Sequence, residues 1–310
     1  MKTRQKILLH LIDGAPGIPH KTALMKWLFL LRQETVLRKW DTFYDFLPYR
    51  YGPFSFTVYQ DLRSLVSSGL VRETADSVAL INGEQIKKEV SKVSKEAETA
   101  VELVLNKYGK WTTHRLITYV YSCFPWYASR SKKMPAVSSG KQGKIAIHTV
   151  SYEGVSIDAF LNLLLRNGIH RVIDVRKNAI SRKFGFSKSR LAEYCRKIEI
   201  DYLHFPQLGV PSDMRKLLTS KRISYPNFFS SYSHNILAKQ WPALAQLGKL
   251  VSEIPSAIMC FEADPSLCHR HLIAKALSES ENLQIIHHRG DTSVREKEGS
   301  DNREDLSCSV

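Results

Sequence analysis

The sequence predicts an α/β protein in two parts, a mainly helical domain over residues 1–127 and a helix-flanked parallel sheet over residues 144–290. Three observations carry this. Apolar positions up to residue 127 recur at helical spacing, and residues 128–143 are rich in Ser, Lys and Gly without periodicity. From Lys144 onward, short apolar runs alternate with helical segments, the pattern of strand and crossover helix in a parallel sheet. A chain of 310 residues is long enough for two ordinary domains, each with its own core.

Taken in order, Thr3–Ala15 and His20–Glu34 read as two helices (Ile7, Leu8, Leu11; Leu24, Trp27, Leu28, Leu31), separated by Gly14-Ala15-Pro16-Gly17. An aromatic-rich loop, Phe43–Ser55, precedes a third helix to Ser68 with Val58, Leu62 and Leu65 inward. Leu70–Glu73 and Val78–Ile81 then read as a small hairpin. Three helices and a hairpin suggest a winged helix-turn-helix. A long charged helix is expected over Glu84–Tyr108, and another from Trp111 to about Trp126.

Residues 128–143 read as a flexible basic linker. Beyond it, strands are expected at Lys144–Val150, Arg171–Val175, Tyr202–Phe205, Ala257–Phe261 and Gln284–His287. Helices are expected at Ser156–Asn167, Ser187–Lys197, Trp241–Ile254 and Leu267–Leu277. Residues 291–310 hold more acids than bases and no apolar periodicity, as in a disordered tail.

The net charge of +15 favours an anionic partner, nucleic acid above all. No apolar run reaches the roughly 18 to 20 residues that span a bilayer, so no membrane partner and a cytoplasmic location are expected. Five cysteines without regular spacing do not form a disulfide framework. The sequence leaves the oligomeric state open.

In a parallel sheet the loops at the carboxyl ends of the strands share one edge, where ligands bind. Those ends carry Tyr152, then Asp174 and Arg176, then His204, then Glu262 to His271, then His287 and Arg289. Arg270 opens a helix, and with Arg176 it suits a phosphate. Arg182 and Lys183 extend that role within Arg171–Lys197, which holds nine Lys or Arg against Asp174 and Glu193. Asp174 and Glu262 are the candidate proton-transfer carboxylates, and Tyr152 would stack or donate. A structural alternative stands beside this, with Asp174 pairing to Arg176 or Arg270. Cys268 has three readings: a nucleophile activated by His269, His271 or the helix N-terminus, a metal ligand with Cys260, His269 or His271, or a packing thiol. No paired Cys-x-x-Cys motif is present, so no metal centre and no cofactor are expected.

Two resemblances are carried by these residues. Lys21–Leu31, the Tyr51-Gly52-Pro53 turn with Val58-Tyr59, and Tyr108-Gly109 followed by Leu116 and Pro125-Trp126 resemble the Panacea (SocA-like) antitoxin-associated domain. That resemblance implies a helical recognition scaffold of winged-helix character, used in defence or toxin–antitoxin settings. Ile147–Glu153, Val172–Arg176, Tyr202–Gly209 and Cys260-Phe261-Glu262-Ala263-Asp264-Pro265 with Cys268-His269-Arg270 are similar to the family named domain of unknown function 488. It implies a Rossmann-like α/β fold and no settled reaction.

The expected function is nucleic-acid binding, with DNA favoured, in DNA repair or phage defence. If catalysis accompanies it, the reaction class is hydrolysis or lyase-type cleavage of nucleic acid. The alternative is a non-catalytic regulator or antitoxin-like module that binds a nucleotide or a protein.

Overall fold

The computed structural model describes residues 1–133 and 143–289. The chain divides into an N-terminal and a C-terminal compact unit. The expected tail at 291–310 and most of the expected linker lie outside the described residues. Among residues 128–133, Ser131 shares a hydrogen bond with Tyr121 (2.7 Å) and Lys132 donates its backbone N–H to the Arg50 carbonyl.

The N-terminal unit runs α1 (Thr3–Asp13), α2 (Lys21–Glu34), β1 (Leu47–Tyr49), β2 (Gly52–Phe54), α3 (Phe56–Ser67), β3 (Val71–Glu73), β4 (Val78–Leu80), α4 (Gly83–Val90), α5 (Lys95–Tyr108), α6 (Thr113–Cys123) and α7 (Pro125–Ala128). The expected aromatic loop contains an antiparallel hairpin, β1–β2, that turns through Gly52 at a φ of +85°. The single helix expected over 84–108 is two helices. The break is made by Ser94, whose hydroxyl caps α5 by accepting from the Ala97 N–H. The core is built around α2, whose Leu24, Trp27, Leu28 and Leu31 are buried with Ile7, Leu8 and Leu11 of α1. Lys26 of the same helix is buried as well. It donates to the Tyr51 carbonyl, and burial lowers its pKa to about 7.

The C-terminal unit runs β5 (Ile147–Ser151), α8 (Ile157–Arg166), β6 (Arg171–Asp174), α9 (Lys188–Lys197), β7 (Asp201–His204), α10 (Ser212–Thr219), α11 (Tyr225–Asn235), α12 (Trp241–Glu253), β8 (Ser256–Cys260), α13 (Arg270–Glu281) and β9 (Ile285–His288). Its five strands form one parallel sheet in the order β7-β6-β8-β5-β9. Every residue of β5 and β8 is buried, which is why β8 reads as an apolar run from Ala257 to Cys260 instead of an alternating one, while β5 also buries His148, Thr149 and Ser151. Ile147, Ile173 and Ile258 pack with Phe228, Leu247, Val251 and Ile273 from α11, α12 and α13.

Two features differ from the sequence reading. α10 and α11 were not expected: α10 buries no residue and α11 buries only Phe228 and Tyr232, so neither carries a strong apolar stripe. The helix expected from Leu267 starts at Arg270, because Pro265–Leu267 forms a separate 3₁₀ turn capped by Asp264. Among the described residues no helix is long and apolar enough to cross a membrane.

Candidate functional site at the β6–β8 crevice

Strand order determines where a ligand can enter this sheet. From β6 the chain continues to β7 on one side, whereas from β8 it continues to β9 on the other. The connections diverge, leaving a topological switch point at the carboxyl ends of β6 and β8. The register pairs Asp174 with Met259, so Arg176 leaves β6 beside the turn that opens at Cys260. Tyr152 joins them from the loop after β5. The backbone at Gly209, after β7, approaches so closely that a Cβ there would lie 2.1 Å from the Lys177 nitrogen.

Asp174 and Arg176 are fully engaged with each other. The Arg176 Nε donates to Asp174 Oδ1 (2.8 Å) and Nη2 donates to Oδ2 (2.6 Å), a bidentate pair at 0% and 3% exposure. Arg176 Nη1 donates to the Tyr152 hydroxyl (2.8 Å), and Nη2 also reaches the Phe186 carbonyl (2.9 Å). The Tyr202 hydroxyl donates to Asp174 Oδ2 (2.6 Å). Tyr152 lies stacked on Phe186 with ring centroids 4.4 Å apart. Of the two readings open for Asp174, ion pair or proton carrier, this geometry favours the ion pair. Arg176 has at most one N–H to spare for a phosphate.

The second group comes from β8 and the turn after it. Cys260, Cys268 and His269 are all buried, with their ligand atoms within 4.8 Å of one another. His269 Nδ1 faces both thiols, 3.7 Å from Cys260 Sγ and 3.9 Å from Cys268 Sγ, while its Nε2 lies 3.3 Å from the Val175 carbonyl. The Cys260 thiol donates to Glu262 Oε2 (3.3 Å). Burial pushes the Cys268 thiol well above its ordinary pKa, against a smaller opposing effect of His269. A buried neutral thiol is poorly suited to nucleophilic attack. Burial also acts to raise the Glu262 pKa, but hydrogen bonds from Cys268, its own backbone N–H and Cys260, with the charge of His269, together bring it below the usual value.

Arg270, at 1% exposure, donates to the carbonyls of Glu262 and Ala263 and leaves Nε without a partner. It braces the turn and makes no ion pair with a described residue. Lys183 donates to the Tyr152 carbonyl (2.7 Å), and burial lowers its pKa. Arg182 is exposed.

The sequence-predicted residues Tyr152, Asp174, Arg176 and Lys183 are thus one bonded group, and Glu262, Cys268, His269 and Arg270 a second. Arg182 joins neither. Sequence reasoning missed Tyr202 and Phe186 as partners of the ion pair, because their contribution depends on strand order and on a loop carbonyl. It also missed the His148 Nδ1 to His288 Nε2 contact of 2.8 Å, between neighbouring parallel strands, whose partial burial next to His148 and His287 lowers the His288 pKa to about 4.

No curated protein matches the chain. Residues 156–277, from the cap of α8 to within α13, match the family model described as Domain of unknown function DUF488, so the C-terminal unit carries a DUF488 domain.

Proposed function

We propose that this protein binds nucleic acid along the carboxyl edge of its C-terminal sheet. The observation that carries the reading is a rim of exposed cations without acidic partners among the described residues. Lys177, Arg182 and Lys188 follow β6, and Arg215, Lys216, Lys221 and Arg222 lie in and after α10. None of these forms an ion pair with a described residue, whereas the neighbouring Arg171, Arg190 and Lys197 all do. Asn178 donates to Ser212 (3.2 Å), which joins the two segments. Unpaired cations beside a switch point suit a phosphate backbone, since each one that neutralises a phosphate releases condensed counterions. In this reading the N-terminal unit docks the substrate, a role supported by three helices followed by the β3–β4 hairpin and by the resemblance to a recognition scaffold.

The non-catalytic form of this function is favoured. Asp174 spends both oxygens on Arg176 and Tyr202, and the Cys268 thiol is buried. Fluorescence anisotropy with DNA and RNA oligonucleotides across salt concentrations tests binding, with DNA expected to bind more tightly. Log affinity should fall linearly with log salt. Replacing Arg215, Lys216, Lys221 and Arg222 with Glu should lower the slope by about 2 to 4. Absence of binding to either nucleic acid at low salt would sink the proposal. Cleavage product formed by the wild type and lost in Glu262→Gln would overturn the non-catalytic form.

A further inference from the structure

We propose that Cys260, Cys268, His269 and Glu262 form a binding site for one thiophilic divalent cation, with zinc the best fit to this ligand set. The site sits under the turn that joins β8 to α13, and it does not depend on nucleic-acid binding.

Three ligand-to-ligand distances match edges of a tetrahedral zinc site before the metal draws its ligands in, and the two sulfurs lie within 4.8 Å of each other. Zinc holds thiolate sulfur at about 2.3 Å and imidazole nitrogen at about 2.0 Å, so the tetrahedral edges are about 3.6 Å for S···N and about 3.5 Å for S···O. His269 Nδ1 is 3.7 Å from Cys260 Sγ and 3.9 Å from Cys268 Sγ. Cys260 Sγ is 3.3 Å from Glu262 Oε2. Each lies within a few tenths of an ångström of its edge, and rotamer adjustment covers the remainder.

The orientation of His269 is the second argument. Its Nε2 lies against the Val175 carbonyl, which accepts but cannot donate, so in the neutral ring Nε2 carries the proton and Nδ1 presents its lone pair to the two thiols. A backbone carbonyl that sets the far nitrogen is how metal-ligating histidines are held in orientation. Two sulfurs and one imidazole nitrogen select zinc over magnesium or calcium, which prefer oxygen. Glu262, the least buried of the four, takes the fourth position and closes the site to water. This is the geometry of a structural centre. Binding displaces the two thiol protons to solvent. All four ligands belong to one strand-turn-helix, and the Val175 carbonyl just after β6 braces the imidazole, so the cation would fix this turn against the end of β6.

The test uses the full-length chain, purified under reducing conditions and stripped with a chelator. Titration with cobalt(II) should produce thiolate-to-metal charge transfer in the near ultraviolet and tetrahedral d–d bands in the visible, saturating at one equivalent. Zinc should displace the cobalt. Cys268→Ser and His269→Ala should weaken cobalt binding by about a hundredfold or more, whereas Cys123→Ser and Cys195→Ser should leave it unchanged. If a ligand variant fails to fold, alkylation of the wild type in a urea concentration that opens the metal-free thiols to reagent decides: Cys260 and Cys268 should be protected by zinc. A cobalt spectrum without thiolate charge transfer, or thiols equally alkylated with and without saturating zinc, would overturn the proposal.

Discussion

Lys26 gives the N-terminal unit a pH dependence opposite to the usual loss of stability in alkali. Its ammonium lies inside the helical core, with the Tyr51 carbonyl as acceptor and the Tyr121 ring 6.0 Å away, and burial lowers its pKa to about 7. In the unfolded chain the same group titrates near about 10.4. Below the folded value both states carry the proton and the full cost of desolvating the charge is present. Between the two values the unfolded chain holds a proton that the native chain has released, so stability rises with pH. The gain is about 2 kcal/mol from about pH 7 to about pH 9, and about 4 to 5 kcal/mol over the whole window. Urea unfolding followed by tryptophan fluorescence measures it, since Trp27, Trp40, Trp111 and Trp126 belong to this unit and Trp241 alone lies in the other. Lys26→Met should remove the slope while other titrations remain. A midpoint that stays level or falls between about pH 7 and about pH 9, or an equal slope in wild type and Lys26→Met, would refute the reasoning.

Two further perturbations address the C-terminal unit. Asp174→Asn leaves the buried Arg176 guanidinium without its counter-charge and should cost about 3 to 5 kcal/mol, measured by chemical unfolding followed by far-ultraviolet circular dichroism. A loss under about 1 kcal/mol would show that the pair is not the centre of this wall. Gly209→Ala places a Cβ 2.1 Å from the Lys177 backbone nitrogen, where only backbone can yield, and should destabilise by about 2 kcal/mol or more in the same assay. A neutral result would mean that the loops after β6 and β7 can separate freely.

What the sequence revealed, and what it concealed, follows from the range of each interaction. β8 was legible because both of its faces are buried, which leaves Ala257 to Cys260 without a polar break. α8 was legible through Phe160, Leu161 and Leu164, all buried on one stripe. α10 offers no such stripe, and the interruption at Ser94 is a single cap in an otherwise helical pattern. In the site, a spacing of two residues suggested the pairing of Asp174 with Arg176. Nothing local places Tyr202 on the same carboxylate, or Val175 behind His269, because those contacts need β7 and β8 on either side of β6. Cys260 shows the limit most clearly. A strand cysteine reads as a core residue, and it does pack in the core, yet its sulfur also ends the strand facing an imidazole.

The same strand order constrains how the C-terminal unit is made. β5 is the first strand of the sheet, but both of its neighbours, β8 and β9, come from the last part of the unit. Until Ser256 has left the ribosome, β5 has no strand to pair with, and β6 and β7 are an isolated two-stranded ribbon of marginal stability. β8 must then insert between β6 and β5 with contacts to both. Such long-range closure is slow, and the waiting edges are exposed meanwhile. A chain cut short before Ser256 therefore has no sheet to keep.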